Sequence, residues 1–225
     1  KKKIFQISHL NKINNKKIKK IFIKKESPIN KIFKLPEVIF KINRYFNYTK
    51  KKLIIIEGAS WIFYSFIIIF FFKIFQTNVK IIYISHSIES EIRKKYSNIL
   101  IYYLTKYLEK LVLKYSDLST TVSLRERKKI KSLYNINTIL LPNGISLNKE
   151  KMIKKEKSNY LIYTGSYFYK PNKDAIDYLN NYIMPVLIKK IPNLKLMLTG
   201  GGFNKKFKWI INKGIVTKTD LYKYI

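Results

Sequence analysis

"KLIIIEG" at residues 52–58 and "VKIIYISHS" at residues 79–87 decide the fold. Each is a short, continuous apolar run that is closed by glycine or by small polar residues. Such runs are typical of strands that are buried on both faces of a parallel sheet. The segment between them, "SWIFYSFIIIFFFKIF" at residues 60–75, is a helix candidate. Strand, helix and strand in this order predict a right-handed βαβ unit.

The alternation continues further along the chain. We predict, in order, a helix at 98–117, a strand at 118–123, a helix at 123–134 and a strand within 135–144. Ser123 is the expected N-cap of the second helix, and Glu126 completes a capping box. The first helix has the amphipathic pattern, with apolar residues recurring three and four positions apart at Leu100, Tyr103, Leu104, Tyr107, Leu108, Leu111 and Val112.

Two further parts of the chain complete the prediction. Before residue 52 we expect strands near 4–7 and 18–23 and a helix near 38–48. Residues 148–158 are charged and lack a clear period, so we interpret them as a linker between domains at 1–147 and 159–225. In the second domain we predict strands at 161–164, 194–200 and 215–216, a helix at 172–188 and another that begins at Asp220. The fold class is therefore α/β, with two Rossmann-like parallel-sheet domains.

The composition limits the classes of partner and site. With 46 Lys and Arg against 13 Asp and Glu, the formal net charge is +33. Only four of the basic residues are arginine, and the lysines are mostly spread along the chain. This distribution speaks against nucleic acid, for which arginine is preferred. Two explanations of the charge remain open. The lysines either attract anionic lipid or phosphorylated ligands, or they reflect a codon bias that enriches lysine on a solvated surface. Cysteine is absent, so disulfides and thiolate metal sites are excluded.

The apolar run at residues 61–72 has three interpretations. A membrane-spanning helix needs about 20 apolar residues, and this run is shorter. Extending it backward would bury Glu57, Gly58 and Ser60. A core or partly exposed helix is the preferred interpretation, ahead of a helix that dips into the bilayer interface and of a true span.

Polar residues follow the predicted strands at their carboxyl ends, where open parallel sheets bind ligands. In the first domain these candidates are His86, Glu89, Ser123, Asn143 and Gly144. In the second they are Gly165, Ser166, Tyr167, Lys170 and Asn172 after one strand, and Gly200, Gly201 and Gly202 after the next.

The second-domain candidates suit a phosphate. Glycines at Gly165 and Gly200 to Gly202 permit positive φ and close approach of a ligand to the backbone. A following helix N-terminus favours an anion, and Lys170 adds a full charge. No P-loop and no dinucleotide fingerprint is present, and a plain tight turn is the competing interpretation.

His86 also has two interpretations. It is either a structural side chain or a base for a substrate hydroxyl. Glu89 at the start of the next helix can simply complement the helix dipole. Neither a Ser-His-Asp set nor an acidic cluster for a metal is visible in the sequence.

Five elements in this order resemble family 4 glycosyltransferases of the GT-B fold. They are "IIYISHSIESEIRKKYS", the Glu-Lys-x-x-x-Lys-x-Ser-Asp element at 109–117 with "TTVS" after it, "LLPNGIS", the stretch "YTGSYFYKPNKDAIDYLNNYIMPVLIKKIPNLKLMLTGGG", and the closing "GIVTKTDLYKYI". The resemblance covers roughly residues 53–225.

The resemblance implies a transferase that moves a sugar from a nucleotide-diphosphate sugar to a glycan or lipid-linked acceptor. It implies a retaining, metal-independent hexosyltransferase without a cofactor, which builds cell-surface polysaccharide in the cytoplasm, at the inner face of the membrane. Peripheral contact of the protein with an anionic membrane would fit a location at the inner face.

The resemblance also assigns roles to residues. Gly165, Ser166 and Tyr167 would lie near the donor diphosphate with Lys170 and Asn172, and Gly200 to Gly202 would line the nucleotide side. His86 would face the reacting sugar as the catalytic residue, in an acceptor-side cleft with Glu89, Ser123, Asn143 and Gly144. No metal site is expected.

The match to the family is incomplete. The family's paired glutamates should lie beyond Ile225, and its first strand with a glycine-rich loop is missing from residues 1–52. We therefore expect a fragment with a truncated second domain and an incomplete catalytic site. The alternatives are an inactive relic of such an enzyme, a non-enzymatic basic protein that binds a membrane surface or nucleic acid, and a nucleotide-sugar epimerase of the GT-B fold.

Overall fold

The computed structural model describes residues 4–8, 18–22, 33–47, 52–58, 62–76, 78–144 and 159–224. The chain consists of two compact units, Lys1–Ile145 and Ser146–Ile225. Every strand pair described in them is parallel, and helices alternate with the strands. The predicted α/β class with parallel sheets is confirmed. The predicted linker at 148–158 lies outside the described residues.

The first unit contains a two-stranded and a four-stranded sheet. The smaller one pairs β1 (Ile4–Ser8) with β2 (Ile18–Phe22). The larger one has the order β3–β4–β5–β6, with β3 at Lys52–Gly58, β4 at Val79–Ser85, β5 at Leu118–Thr121 and β6 at Ile139–Leu140. Strand order follows chain order, so successive strands are neighbours. These strands lie where the sequence predicts them.

Several helices of the first unit begin at residues that favour a helix N-terminus. They are α1 (Leu35–Phe46), α2 (Ile62–Phe75), α3 (Glu89–Tyr96), α4 (Ile99–Tyr115) and α5 (Leu124–Tyr134). Pro36 occupies the first turn of α1, where its missing N–H costs nothing. The Asn98 side chain accepts from the Ile101 amide at 2.9 Å and caps α4. Ser123 caps α5 as predicted, accepting from the Glu126 amide at 3.2 Å.

The core of this unit lies between the sheet and helices α1, α2 and α4. Ile81 and Tyr83 of β4 are fully buried there with Phe72 of α2 and Val112 of α4. The Phe72 ring packs edge-on against Phe46 of α1, with centroids 5.8 Å apart. Helix α2 is thus a packed helix with some exposed aromatic residues. This agrees with the preferred interpretation of the apolar run as a core or partly exposed helix. Within the described residues, no helix has both the length and the hydrophobicity to cross a membrane.

Asp117, just before β5, ties helix α2 to the sheet. Its carboxylate accepts from the Ile81 amide at 2.8 Å, from Lys73 of α2 at 2.6 Å and from Lys80 at 3.2 Å. Partial burial raises the pKa of Asp117, but these hydrogen bonds outweigh it and lower the pKa to about 2. The charged carboxylate therefore stabilises the folded state.

We predict that Asp117→Asn lowers the free energy of unfolding by about 2 kcal/mol at neutral pH. Because the folded-state pKa is depressed, the contribution is complete above the unfolded pKa of about 4 and is lost as pH falls towards 2. Urea unfolding of both proteins across this range measures it. Glu37→Gln, which breaks an exposed pair with Lys41, should have little effect. A loss for Asp117→Asn that is equally large at pH 2 would contradict the electrostatic explanation.

Helix α4 differs from its pattern in one respect. Of the recurring apolar residues, Leu108 and Val112 are buried. Leu100, Tyr103, Leu104 and Tyr107 are exposed instead. The helix buries a neighbouring face, which includes Thr105, Glu109 and Leu113, and Glu109 on this face accepts hydrogen bonds from the first turn of α3.

The second unit has a three-stranded parallel sheet in the order β7–β8–β9. Its strands are β7 (Tyr160–Thr164), β8 (Lys195–Thr199) and β9 (Ile210–Gly214), and its helices are α6 (Lys170–Tyr178), α7 (Met184–Lys190) and α8 (Lys218–Tyr224). A π-helical turn, Leu179–Ile183, joins α6 to α7. Pro185 explains it, because proline has no N–H to continue the α-helical ladder. The turn buries Asn180, whose side chain accepts from the Trp209 indole at 2.9 Å.

The predicted short strand at 215–216 is wrong. Strand β9 lies earlier, because the Leu196 amide donates to Trp209 and the Gly200 amide donates to Gly214. These bonds fix residues 209–214 beside β8. Ile215, the first of the two residues of the predicted strand, is 87% exposed. The last helix, predicted from Asp220, begins at Lys218, and the Thr217 hydroxyl accepts from the Asp220 amide at 3.1 Å.

Candidate functional site

The turns after β7 and β8 are joined by hydrogen bonds at the carboxyl edge of the second sheet. The Gly165 amide donates to the Thr199 carbonyl and the Tyr167 amide to the Gly201 carbonyl, each at 2.8 Å. The Ser166 hydroxyl also points to the Gly201 carbonyl, at 3.5 Å. The structure therefore brings the two predicted groups of donor-site residues together. Because the amides of Gly165 and Tyr167 are engaged, they cannot donate to a phosphate at the same time.

Gly200 is the residue that permits this contact. Its φ is +121°, and a Cβ added there would lie 2.3 Å from the Gly165 carbonyl oxygen. Gly202 also has positive φ, at +95°. The expected use of glycine freedom therefore holds at these two positions. Gly165 and Gly201 do not use positive φ.

We predict that Gly200→Ala lowers the free energy of unfolding of the second unit by about 1–3 kcal/mol, because it combines a strained φ with a clash against backbone. Thermal unfolding followed by circular dichroism measures the change. Gly201→Ala is the matched control, since its Cβ would meet side chains at 3.5 Å, an ordinary contact distance. Equal stability of the two variants would contradict this role for Gly200.

Asn172 holds the turn after β7 from inside helix α6. Its side-chain oxygen accepts from the Tyr163 hydroxyl at 3.1 Å, and its side-chain nitrogen donates to the Ser166 carbonyl at 3.1 Å. A Cβ at Gly165 would lie 2.7 Å from that nitrogen. Asn172 is therefore near the predicted diphosphate position, but its side chain shapes the turn.

The positive charge at this edge comes from Lys170, the first residue of α6. Its side chain is 61% exposed and lies 3.9 Å from Asp174. Tyr169, the N-cap residue of α6, makes no side-chain capping hydrogen bond. The helix dipole and Lys170 therefore both favour an anion at this end of the helix.

Tyr167 belongs to a charged group that sequence reasoning missed. Its hydroxyl donates to Asp177 at 2.8 Å, and Lys205 lies 3.2 Å from the same carboxylate. Lys173 lies over the Tyr167 ring, 5.6 Å from the centroid. Burial and the bond to Asp177 raise the pKa of the Tyr167 hydroxyl. Asp177 and Lys205 are far apart in sequence, and no motif connects them.

The first-unit candidates lie at one edge of the larger sheet. Ser85 pairs with Thr121, which pairs with Leu140, so β4, β5 and β6 end in register. His86 is partly exposed directly after β4, and within the described part of the chain no hydrogen bond to its imidazole is found.

The other first-unit candidates lie in different environments: one is buried, one caps a helix and two are exposed in a loop. Glu89 is buried, with its carboxylate 3.3 Å from the Ser87 hydroxyl and 3.8 Å from Arg93. The Ser123 side chain is used in capping α5. Asn143 and Gly144 lie in an exposed loop. The structure does not join these residues by hydrogen bonds to His86 within the described ranges.

Glu109 of α4 is the buried group that supports the connection carrying His86. Its carboxylate accepts from the amides of Glu89 and Ser90 at 2.7 and 3.3 Å, so it caps α3 from another helix. It also accepts from the Ser90 hydroxyl at 2.6 Å and from Tyr134 at 2.5 Å. Burial raises the pKa of Glu109, and these hydrogen bonds oppose the rise. The signal in the sequence is its place at the start of the Glu-Lys-x-x-x-Lys-x-Ser-Asp element.

We predict that Glu109→Ala lowers the free energy of unfolding by about 2–4 kcal/mol, because it leaves the two first-turn amides of α3 buried without an acceptor. Tyr134→Phe, which removes one donor from the same carboxylate, should cost about 1 kcal/mol. Urea unfolding and amide exchange of residues 89–92 measure both effects. Unchanged exchange there in Glu109→Ala would contradict the capping role.

Metal ligands are not clustered in the described ranges, where no group of three His, Asp or Glu side chains could hold an ion. Metal independence nevertheless stays a prediction.

A sucrose-phosphate synthase from Thermosynechococcus elongatus has a similar structure, with a TM-score of 0.68 and 14% sequence identity. The similarity covers 94% of this chain, which spans 58% of the length of the synthase. The fold is shared. It supports the expected GT-B fold, and at this identity it speaks for the fold alone. No family model matches the chain, and neither does any curated protein.

Proposed function

We propose that this chain is part of a glycosyltransferase of family 4, which transfers a sugar from a nucleotide-diphosphate sugar to a glycan or lipid-linked acceptor. The observation that carries the proposal is the structural similarity to a sucrose-phosphate synthase over 94% of the chain. The ordered motifs from residue 81 to the end of the sequence support it independently.

In this proposal the second unit binds the donor at the carboxyl ends of β7 and β8. Transfer of the sugar leaves negative charge on the departing diphosphate, so the site must offer positive charge that is already in place. The N-terminus of α6 and Lys170 supply it. Asn172 and Gly200 hold the shape of the turn, and the Ser166 hydroxyl lies at the same edge.

The finer features of the proposal come from the resemblance. The reaction is retaining and hexosyl-transferring, and it needs neither metal nor cofactor. The first unit contributes the acceptor side, with His86 next to the reacting sugar. The product belongs to cell-surface polysaccharide, made at the cytoplasmic face of the membrane.

The donor site is tested by Lys170→Ala. We expect its affinity for the preferred nucleoside diphosphate, found by screening UDP, GDP and ADP, to fall by about tenfold, since one charge-assisted contact to phosphate is lost. Calorimetry with the whole chain measures the affinity. Lys190→Ala, at the far end of α7, removes the same charge away from the site and should bind normally. Unchanged affinity in Lys170→Ala would remove Lys170 from the diphosphate site.

His86 is tested by turnover in a preparation that transfers sugar. We expect His86→Ala to lower kcat by about 10²–10⁴-fold, the range for loss of a positioned acid or base, with nucleotide affinity unchanged. Because the imidazole is partly exposed and makes no hydrogen bond to a described group, stability should change little. Full activity with reduced stability would return His86 to a structural role.

A further inference from the structure

Helix α4 exposes a row of large apolar residues that the core does not use. Leu100 is 77% exposed, Tyr103 60%, Leu104 56% and Tyr107 61%. Their spacing by three and four residues places them on one side of the helix, and we call this row the α4 stripe. The buried side of the same helix, at Leu108 and Val112, packs in the core. Helix α4 therefore has a second apolar face that the described residues of the first unit leave exposed.

The α4 stripe is bordered by positive charge. Lys106, Lys110 and Lys114 follow one another at intervals of four, which forms a row along one edge of the stripe. The one acidic residue of α4, Glu109, is buried against α3 and adds no negative charge to this surface. The outer surface of α4 therefore combines leucine and tyrosine with lysine alone.

This combination distinguishes between occupants. A second copy of the chain docking through the same stripe would bring together two chains that each carry a net charge of +33, with lysines beside the docking face. Leucines with tyrosines beside a lysine row match a membrane interface, where tyrosine favours the headgroup level and lysine favours anionic lipid.

We propose that the α4 stripe docks the first unit on an anionic lipid surface, with α4 parallel to the membrane plane. Leu100 and Leu104 enter the boundary between headgroups and acyl chains, Tyr103 and Tyr107 lie at the headgroup level, and the lysine row contacts lipid phosphates. The inference rests on the surface of α4 and holds whether or not the chain transfers sugar.

The test is co-sedimentation of the whole chain with vesicles of phosphatidylcholine, alone or mixed with phosphatidylglycerol. We expect binding to the mixed vesicles that weakens at high salt. The double variant Leu104→Ser/Tyr107→Ser should lower the vesicle partition coefficient by about tenfold or more. The triple variant Lys106→Gln/Lys110→Gln/Lys114→Gln should lose the preference for phosphatidylglycerol. Amide exchange of residues 99–107 should slow when vesicles are added.

The matched control is Tyr182→Ser/Val186→Ser, which removes similarly exposed apolar residues from the second unit and should bind as the parent does. Equal binding by the stripe variant and the parent would overturn the proposal. A marked fall in thermal stability of the stripe variant would also overturn the proposal. It would mean that Leu104 and Tyr107 pack against other residues of this chain. Dissociation of a dimer would overturn the proposal too, because it would assign the stripe to a second copy.

Discussion

Parallel strands that pair in register determine where the residues after each strand must lie. In the first unit Gly58 pairs with Ser85, and Ser85 with Thr121. In the second, Thr164 pairs with Thr199. Because these pairs end level with one another, turns that are distant in sequence meet at one edge of each sheet. The contact between the turn at Gly165 and the turn at Gly200 depends on this register.

The few acidic residues are used to hold secondary-structure elements together. Only 13 Asp and Glu oppose 46 Lys and Arg, and two of the acids act inside the first unit. Glu109 caps α3 by accepting a hydrogen bond from its first-turn Glu89 amide. Asp117 connects α2 to β4 through Lys73 and the Ile81 amide. Both belong to the same element, 109–117, so its pattern has a structural explanation. With these acids occupied, much of the remaining surface carries lysine, which suits anionic partners of low specificity.

The sequence predicts the strands other than β9 and most of the helices, because continuous apolar runs and caps such as Ser123 are local signals. It does not predict which side of a helix is buried. Helix α4 has more apolar residues than are buried in the described structure, and the buried side also includes Thr105 and Glu109. Strand β9 was misplaced because Ile215 and Val216 look more strand-like than residues 210–214, although hydrogen bonds to β8 select the latter.

The sequence likewise predicts only some of the residues of the candidate site. Residues beside glycine turns, such as Ser166 and Asn172, were found because the turns mark the sheet edge. The interaction of Tyr167 with Asp177 and Lys205 was not found, since it depends on the tertiary path after β8. The hydrogen bond from the Trp209 indole to Asn180 is likewise a tertiary result, although Pro185 accounts locally for the π-helical turn that carries Asn180.

The central claim is that the carboxyl edge of the second sheet binds a nucleotide-diphosphate sugar. The most direct measurement is hydrogen–deuterium exchange of the whole chain with and without UDP-glucose, GDP-mannose and ADP-glucose, each in turn. The account predicts that at least one of them slows exchange at residues 165–173 and 200–203 and leaves the β1–β2 region unaffected. Saturating donor that leaves both segments unprotected, or protects only the first unit, would contradict it.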